Sequence, residues 1–356
     1  MAETNESGGG NGAGEQDATA LEAIRPRRAG SEGERRAARH IQARLQELGR
    51  DVEVEPTRVR PAFGLTHFVH AVAGVIASVL SVYAPLIGLI LAALATVSAF
   101  GDLTGAFHLV RALTPARASQ NVISDEDNGK PGLIVLVAHY DAPRDATLTN
   151  GRLANLWPRA TLISLAVITV CAAGRVLGLQ ATLFTVVQFI PTVILIVLAP
   201  LLVDAAIAES DDGRAANAGG VATALQVAQQ TTLRHFDLML LFTGASAHDG
   251  LGMRAWLSRH RKDLDAESTA VVVLDDPVRG DEPTYAQKEG AVVMSRMHPT
   301  LVELTPEEGT GYVSRELSDA YLARSAGLPT IRVSADSQWV GQLLTNIDGE
   351  IGPSLA

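Results

Sequence analysis

Few residues in this chain have the type and spacing to do chemistry. The clearest group is Leu136-Val-Ala-His-Tyr-Asp141, which sets a histidine and an aspartate two residues apart after an apolar run. One ring nitrogen of His139 could bind a metal ion while Asp141 orients the ring through the other. The same pattern also fits a polar histidine and a turn aspartate at the end of a strand. Asp275 and Asp276 close a second apolar run. His67 and His70 open a long apolar segment without a third ligand, which places them at a membrane interface rather than on a metal. Ser246, in Gly244-Ala-Ser-Ala-His248, lacks the Gly-x-Ser-x-Gly spacing that exposes a serine nucleophile. Glu307-Glu308-Gly309 reads as a surface turn. The arginine-rich stretch from Arg25 to Arg39 reads as the solvated face of a helix, with contact to anionic lipid headgroups as a second role.

The elements that must position these groups alternate between strand and helix. Ser31 to Gly49 predicts an amphipathic helix, with Ser31 and Glu34 as a capping box and Ala38, Ile41, Leu45 and Leu48 as its apolar face. Asp51 to Glu55 alternates as a strand, and Gly132 to Ala138 is apolar throughout, as a strand buried on both faces should be. Helices are expected over Gly220–Gln229, Gly252–His260 and Ser318–Ala326, and strands over Leu238–Phe242, Ala270–Leu274 and Thr330–Val333. That order predicts an α/β fold, a mostly parallel sheet with helices on both faces. Ligands of such sheets gather at the carboxyl ends of the strands, where His139, Asp141, Asp275 and Asp276 fall.

Composition shows where the rest of the chain goes. Of 356 residues, 29 are Lys or Arg and 39 Asp or Glu, a net charge of −10 that argues against a broad affinity for nucleic acid. The one cysteine, Cys171, excludes an intrachain disulfide framework and a multi-cysteine zinc site. Yet 47% of residues are hydrophobic, only 19% are charged and the mean hydropathy is +0.17. The excess lies in two blocks, 66–107, broken at Ala84-Pro85, and 160–203, broken around Gly178. Each arm has about the 20 residues needed to cross a bilayer, so both blocks are expected to be transmembrane hairpins. Arg175, near the end of its arm, should snorkel to the interface, and Pro191 should kink the last arm. Residues 1–20 are expected to be a disordered tail. Residues 21–65, 108–159 and 204–356 then form the soluble part. Arg58, Arg60, Arg111, Arg117, Arg144, Arg152 and Arg159 flank the spans on that side, which the positive-inside rule assigns to the cytoplasm.

Read in order, the soluble segments resemble the clan MH di-zinc exopeptidases, the group of bacterial leucyl aminopeptidases, glutamate carboxypeptidase and the transferrin-receptor ectodomain. The opening helix from Arg25 to Gly49 carries the likeness, followed by Asn121-Val-Ile and Ile134 to Asp141. Gly213-Arg-Ala-Ala-Asn-Ala-Gly-Gly-Val-Ala222 is similar to the family's Gly-Ala-x-Asp-Asn-Ala-Ser-Gly-Val-Ala, and Ser318-Asp319 with Ala326-Gly-Leu-Pro329 to its late Ser-Asp-His and Gly-Ile-Pro. The resemblance implies a three-layer sandwich with the hairpins as insertions.

It also implies a site in which two zinc ions share a bridging aspartate and a glutamate serves as general base. Position by position, His139 and Asp141 remain, and Asp275, or its neighbour Asp276, stands for the third-strand aspartate. Ala216 occupies the bridging position, Ala245-Ser246 the Glu-Glu pair, and no histidine follows His298. Two remnant metal positions, His139 and Asp275, fall short of the three protein ligands of a catalytic zinc. The expectation is a membrane-embedded exopeptidase-like protein without activity or cofactor, acting in binding or scaffolding with the bilayer and a peptide or protein as partners. The alternative is an active metallo-aminopeptidase whose zinc site is rebuilt from Asp211, Asp212, His248 or Asp249. Transport ranks last, because the spans hold almost no ionisable groups.

Overall fold

The computed structural model describes residues 9–179, 181–210, 216–276 and 282–350. Its centre is a sheet in the order β1-β2-β4-β3-β5-β9-β6-β7, with β8 beside β6. The strands are β1 (Glu53–Val59), β2 (Arg117–Ser124), β3 (Gly132–His139), β4 (Phe236–Thr243), β5 (Thr269–Asp275), β6 (Thr284–Glu289), β7 (Ser295–Arg296), β8 (Thr310–Val313) and β9 (Thr330–Ser334). The run β4-β3-β5-β9 is parallel, but β1-β2-β4 and β9-β6-β7 pair antiparallel. The sheet is therefore mixed rather than mostly parallel. The apolar runs that suggest a parallel sheet are the central strands alone, and antiparallel strands with one wetter face extend it on each side.

Helices cover both faces. Along β3, Ile134, Leu136 and Ala138 face one core with α2 (Glu32–Glu47), α7 (Ala218–Gln230) and α11 (Ser337–Glu350). Val135 and Val137 face the other with α8 (Leu251–His260) and α10 (Asp319–Ser325). The short α9 (Pro299–Glu303) completes the sheet domain. Ser31 caps α2 as expected, accepting from the Glu34 amide at 3.1 Å. The carboxylate of Glu34 reaches the Gly30 amide instead of that of Ser31, and also accepts from Ser119 Oγ and the Ala245 amide. The tail expected to be disordered is helical from Gly9. There α1 (Gly9–Glu22) packs on α7 with Leu21 buried, and Asp17 pairs with Arg44 at 2.6 Å. Residues 13–22 are rich in helix formers, and that favours order once an apolar surface is at hand.

Four apolar helices form a separate bundle: α3 (Phe63–Tyr83), α4 (Pro85–Leu103), α5 (Gly151–Val176) and α6 (Ala181–Ile207). All four are long and apolar enough to cross a membrane. Small residues bring their backbones close, as in membrane bundles. A side chain on Gly64 would meet the Ala206 amide nitrogen at 2.5 Å, and one on Gly74 would meet Leu165 and Leu195. Large apolar side chains such as Ile87, Ile90, Leu94, Val186 and Ile190 point outward. The second hairpin starts earlier than Ala160 and ends later than Val203, and α6 stays helical through Pro191 and Pro200. Arg175 does not snorkel. It is 9% exposed and turns into the bundle, donating to Ser81 Oγ, Gln188 Oε1 and Thr185 Oγ1 at 2.5–2.8 Å.

Each hairpin joins the sheet at a paired base. Val59 at the end of β1 is the register partner of Arg117 at the start of β2, so the first pair of helices fills an antiparallel connection. At the second, Arg144 bridges Ser210 and the Asp145 amide donates to the Glu209 carbonyl at 2.9 Å.

Candidate functional site

The carboxyl ends of the parallel strands open into a cleft of about 410 Å³. Its floor is His139, Asn217, Ser246, Asp275 and Arg332, and its roof comes from the apolar helices: Phe63 and His67 of α3, Asp102 and Leu103 of α4, Trp157 and Pro158 of α5. One wall is therefore polar and belongs to the sheet, and the other is mostly apolar and belongs to the bundle.

His139 ends β3 with Nδ1 3.2 Å from the main-chain oxygen of Asp141. Burial depresses its pKa to about 4, so the ring is neutral, and a proton on Nδ1 leaves Nε2 with the lone pair. The Asp141 carboxylate lies 3.7 Å from Nδ1, too far to hydrogen-bond. Its Oδ1 instead accepts from the Ser246 and Ala247 amides at 2.8 and 3.0 Å, and burial raises its pKa well above the carboxylate range. The carbonyl rather than the carboxylate of Asp141 thus orients the histidine, and the carboxylate shapes the turn after β4.

Ala216 is fully buried and offers a methyl group where the resemblance implies a bridging aspartate. The next residue, Asn217, has φ 54° and donates through Nδ2 to the carbonyls of His139 and Leu274, both at 3.0 Å. It fastens the ends of β3 and β5 to each other.

Asp275 is not free for a metal. Arg332 Nε donates to its Oδ2 at 2.5 Å, and Nη1 of the same guanidinium meets Glu289 and Glu316 at 2.9 Å and Ser314 Oγ at 3.1 Å. Burial lifts Glu289 to about 7 and raises Asp275, while Arg332 holds Glu316 below the usual range. Deeper in, Asp319 accepts from Thr243 Oγ1 at 2.6 Å, and burial lifts it to about 6.

The donors implied for a rebuilt site are dispersed. His248 lies against Phe63, ring centroids 4.3 Å apart and planes tilted by 46°, and Asp249 pairs with Arg111 at 2.6 Å. Asp211 and Asp212 lie outside the described residues. Among the described residues no three His, Cys, Asp or Glu side chains are arranged around one point. A zinc ion beside Asp275 would also face the fixed charge of Arg332. The residues present do not fit the di-zinc centre, and no chemistry is derived through one.

Within this roof sits a buried polar junction. His67 and His70 do not sit at an exposed interface. They are 2% and 0% exposed, with His67 Nε2 3.0 Å from Asp102 Oδ2 and His70 Nε2 2.8 Å from Ser98 Oγ. Arg111, counted above as a flanking cation, is 1% exposed and pairs with Asp102 and Asp249. Sequence reasoning missed Arg332, although one arginine inside the apolar strand Thr330–Val333 is a signal in itself. A buried cation there needs carboxylates around it. It also missed the fastening role of Asn217, for which spacing gives no sign.

No family model and no curated protein sequence matches the chain. Solved structures do. The glutaminyl cyclase of Tannerella forsythia superposes with a TM-score of 0.50 at 13% identity, over 91% of this chain and 83% of that one. The glutaminyl cyclase of Fimbriiglobus ruber gives 0.50 at 11%, over 99% and 98%. A Zn-dependent exopeptidase from Parabacteroides distasonis gives 0.50 at 10%, over 96% and 97%. At such identities the likeness concerns architecture: the chain has the fold shared by glutaminyl cyclases and Zn-dependent exopeptidases, joined to four apolar helices.

Proposed function

We propose that this protein is a membrane-embedded, exopeptidase-like binding protein that does not hydrolyse peptides, and that its cleft receives the amino-terminal end of a polypeptide at the membrane surface. The observation that carries this reading is Arg332 between Asp275, Glu289 and Glu316. A permanent cation is paired with Asp275, the carboxylate that stands where the resemblance implies a metal ligand. Ala216 and Ala245-Ser246 remove the bridging ligand and the general base that the resemblance implies. The outward apolar side chains of the bundle support embedding, and the arginines beside the spans support a cytoplasmic soluble part.

The cleft suggests its occupant. Its volume falls in the range of about 300–1,000 Å³ typical of ligand clefts. Arg111 pairs with both Asp102 and Asp249, one cation against two carboxylates, and Arg315 and Arg332 leave a further acidic surplus among Asp275, Asp276, Glu316 and Asp319. That surplus favours a cationic group such as an α-ammonium, and Phe63, Leu103 and Trp157 offer an apolar seat for the adjoining side chain.

The test is elemental analysis of the detergent-purified chain and of His139→Ala, with peptide binding in parallel. Less than about a tenth of an equivalent of zinc in both, and binding of free-amino but not N-acetylated peptides, is the expected result. An equivalent or more of zinc that His139→Ala removes, with chelator-sensitive release of N-terminal residues, would establish an active metallo-aminopeptidase instead. Equal binding of acetylated peptides would remove the amino-terminal reading of the cleft. A cysteine placed at Ser210 should react only with reagent supplied from the cytoplasmic face.

A further inference from the structure

Next to the cleft, and sharing Phe63, Pro143, Ala247, His248 and Asp249 with it, lies a second and smaller pocket of about 70 Å³. Arg28, Arg117 and Arg144 line it, from three segments of chain: the stretch before α2, the first residue of β2, and the loop after β3. Arg28 and Arg117 are exposed, and their guanidinium groups have no ion pair or hydrogen bond among the described residues. Arg144 is half-buried, with one nitrogen, Nη1, donating to the Ala208 carbonyl at 2.7 Å. The three cations lie close enough that Arg28 and Arg117 add to the burial that lowers the Arg144 pKa.

Among the described residues, the carboxylates at the pocket are engaged elsewhere. Asp141 accepts from two amides, Asp249 pairs with Arg111, and Glu34 is fully buried on Gly30, Ser119 and Ala245. Three arginines converging on a space of this size, with the two carboxylates that line it held by other partners, have the makings of an oxyanion site, since the guanidinium fork matches phosphate.

The pocket's position narrows the source of that anion. Pro61 and Phe63, where α3 begins, form one side, and Arg144 is tied to Ala208 just past the end of α6. Both apolar hairpins therefore emerge beside it. We infer that Arg28, Arg117 and Arg144 form a binding site for a phosphate group, supplied by the headgroup of an acidic phospholipid in the leaflet that faces the soluble domain. The lipid source rests on the membrane reading above; the phosphate chemistry does not.

The experiment uses the full chain and the double variant Arg28→Gln/Arg117→Gln. Both side chains are exposed and unpaired among the described residues, so the fold should survive. Arg144 stays, because it also supports the base of the second hairpin. In one arm the protein is placed in nanodiscs of phosphatidylcholine with or without phosphatidic acid, and retained lipid is counted by native mass spectrometry. In the other, detergent-solubilised protein is titrated with inorganic phosphate and thermal unfolding is followed.

The expected result is one phosphatidic acid retained per chain, weakened about tenfold in the double variant and by added salt. A phosphate-dependent rise in unfolding temperature that the double variant abolishes, without lipid retention, would keep the oxyanion site and overturn its lipid source. No difference between wild type and double variant in either arm would overturn the site itself. Failure of the chain to enter nanodiscs would count against the membrane reading alone, since the phosphate arm needs no bilayer.

Discussion

Arg111 donates through Nε and Nη2 to both carboxylate oxygens of Asp102, at 2.7 and 2.8 Å, and through Nη1 to Asp249 at 2.6 Å. Asp102 is near the end of α4 and Asp249 follows β4, so one guanidinium joins the apolar bundle to the sheet domain. Removing it leaves two carboxylates in a buried setting. Arg111→Ala should destabilise the protein by about 3–5 kcal/mol, the usual cost of breaking a buried pair. Thermal unfolding in detergent checks this. Combining it with Asp102→Asn should cost less than the sum of the single changes, because the second substitution removes a charge the first has stranded.

The Arg332 cluster gives a pH prediction with a definite sign. Glu289 titrates at about 7 in the folded chain against 4.5 in the reference state, because burial disfavours its charge. A raised carboxyl contributes its stability fully below pH 4.5 and loses it as pH climbs through 7. The advantage of wild type over Glu289→Gln should therefore shrink by on the order of 3 kcal/mol between pH 4.5 and 8. The difference matters more than either curve. His139, depressed to about 4, contributes in the opposite sense, its stability present above pH 6.5 and lost on acidification. Denaturation of the two proteins across this range decides it, and an advantage that grows with pH would contradict the burial assigned to Glu289.

Asn217 separates two effects at one residue. Asn217→Gly keeps the left-handed backbone but deletes both hydrogen bonds, whereas Asn217→Ala also adds strain at φ 54°. Each lost bond to a buried carbonyl costs about 1–3 kcal/mol when the acceptor is left without a donor. Both variants should expose the carboxyl ends of β3 and β5 to faster amide hydrogen exchange, alanine more than glycine.

Gly64→Ala tests the packing of the bundle. Its new methyl would meet the Ala206 nitrogen at 2.5 Å and the Leu202 oxygen at 2.8 Å, and backbone yields less easily than a side chain. A loss of about 1–3 kcal/mol is expected, as for overpacked cores. Gly49→Ala is the control on steric contact, since nothing lies within 4 Å of its added methyl, although its φ of +75° carries its own strain.

The central strands, the two apolar hairpins and the helix capped by Ser31 were legible in sequence, because each is marked by local pattern: unbroken apolar runs, long uncharged arms, a serine three residues before a glutamate. His139 at the end of β3 was legible for the same reason. What local pattern could not reach is every feature made by distant partners. The antiparallel edges depend on which strands meet, and Arg111 looked like a flanking cation because its partners are 9 and 138 residues away. Arg175 looked ready to snorkel because Ser81, 94 residues off, is invisible from its own arm. Asp141 kept the position that the resemblance gives it, but its carboxylate serves the turn after β4, which no spacing rule foretells.

The paired bases of the hairpins bear on how the chain is made. The strand β1 leaves the ribosome well before its neighbour β2, with α3 and α4 between them, and β4 follows only after α5 and α6. If the hairpins enter a bilayer as they emerge, Val59 is brought beside Arg117, and Arg144 beside Ser210, before β4, β5 and β9 exist to receive them. Membrane insertion would then act as an assembly jig, closing long chain separations in advance and leaving the sheet to complete itself from segments already held at their correct entry points.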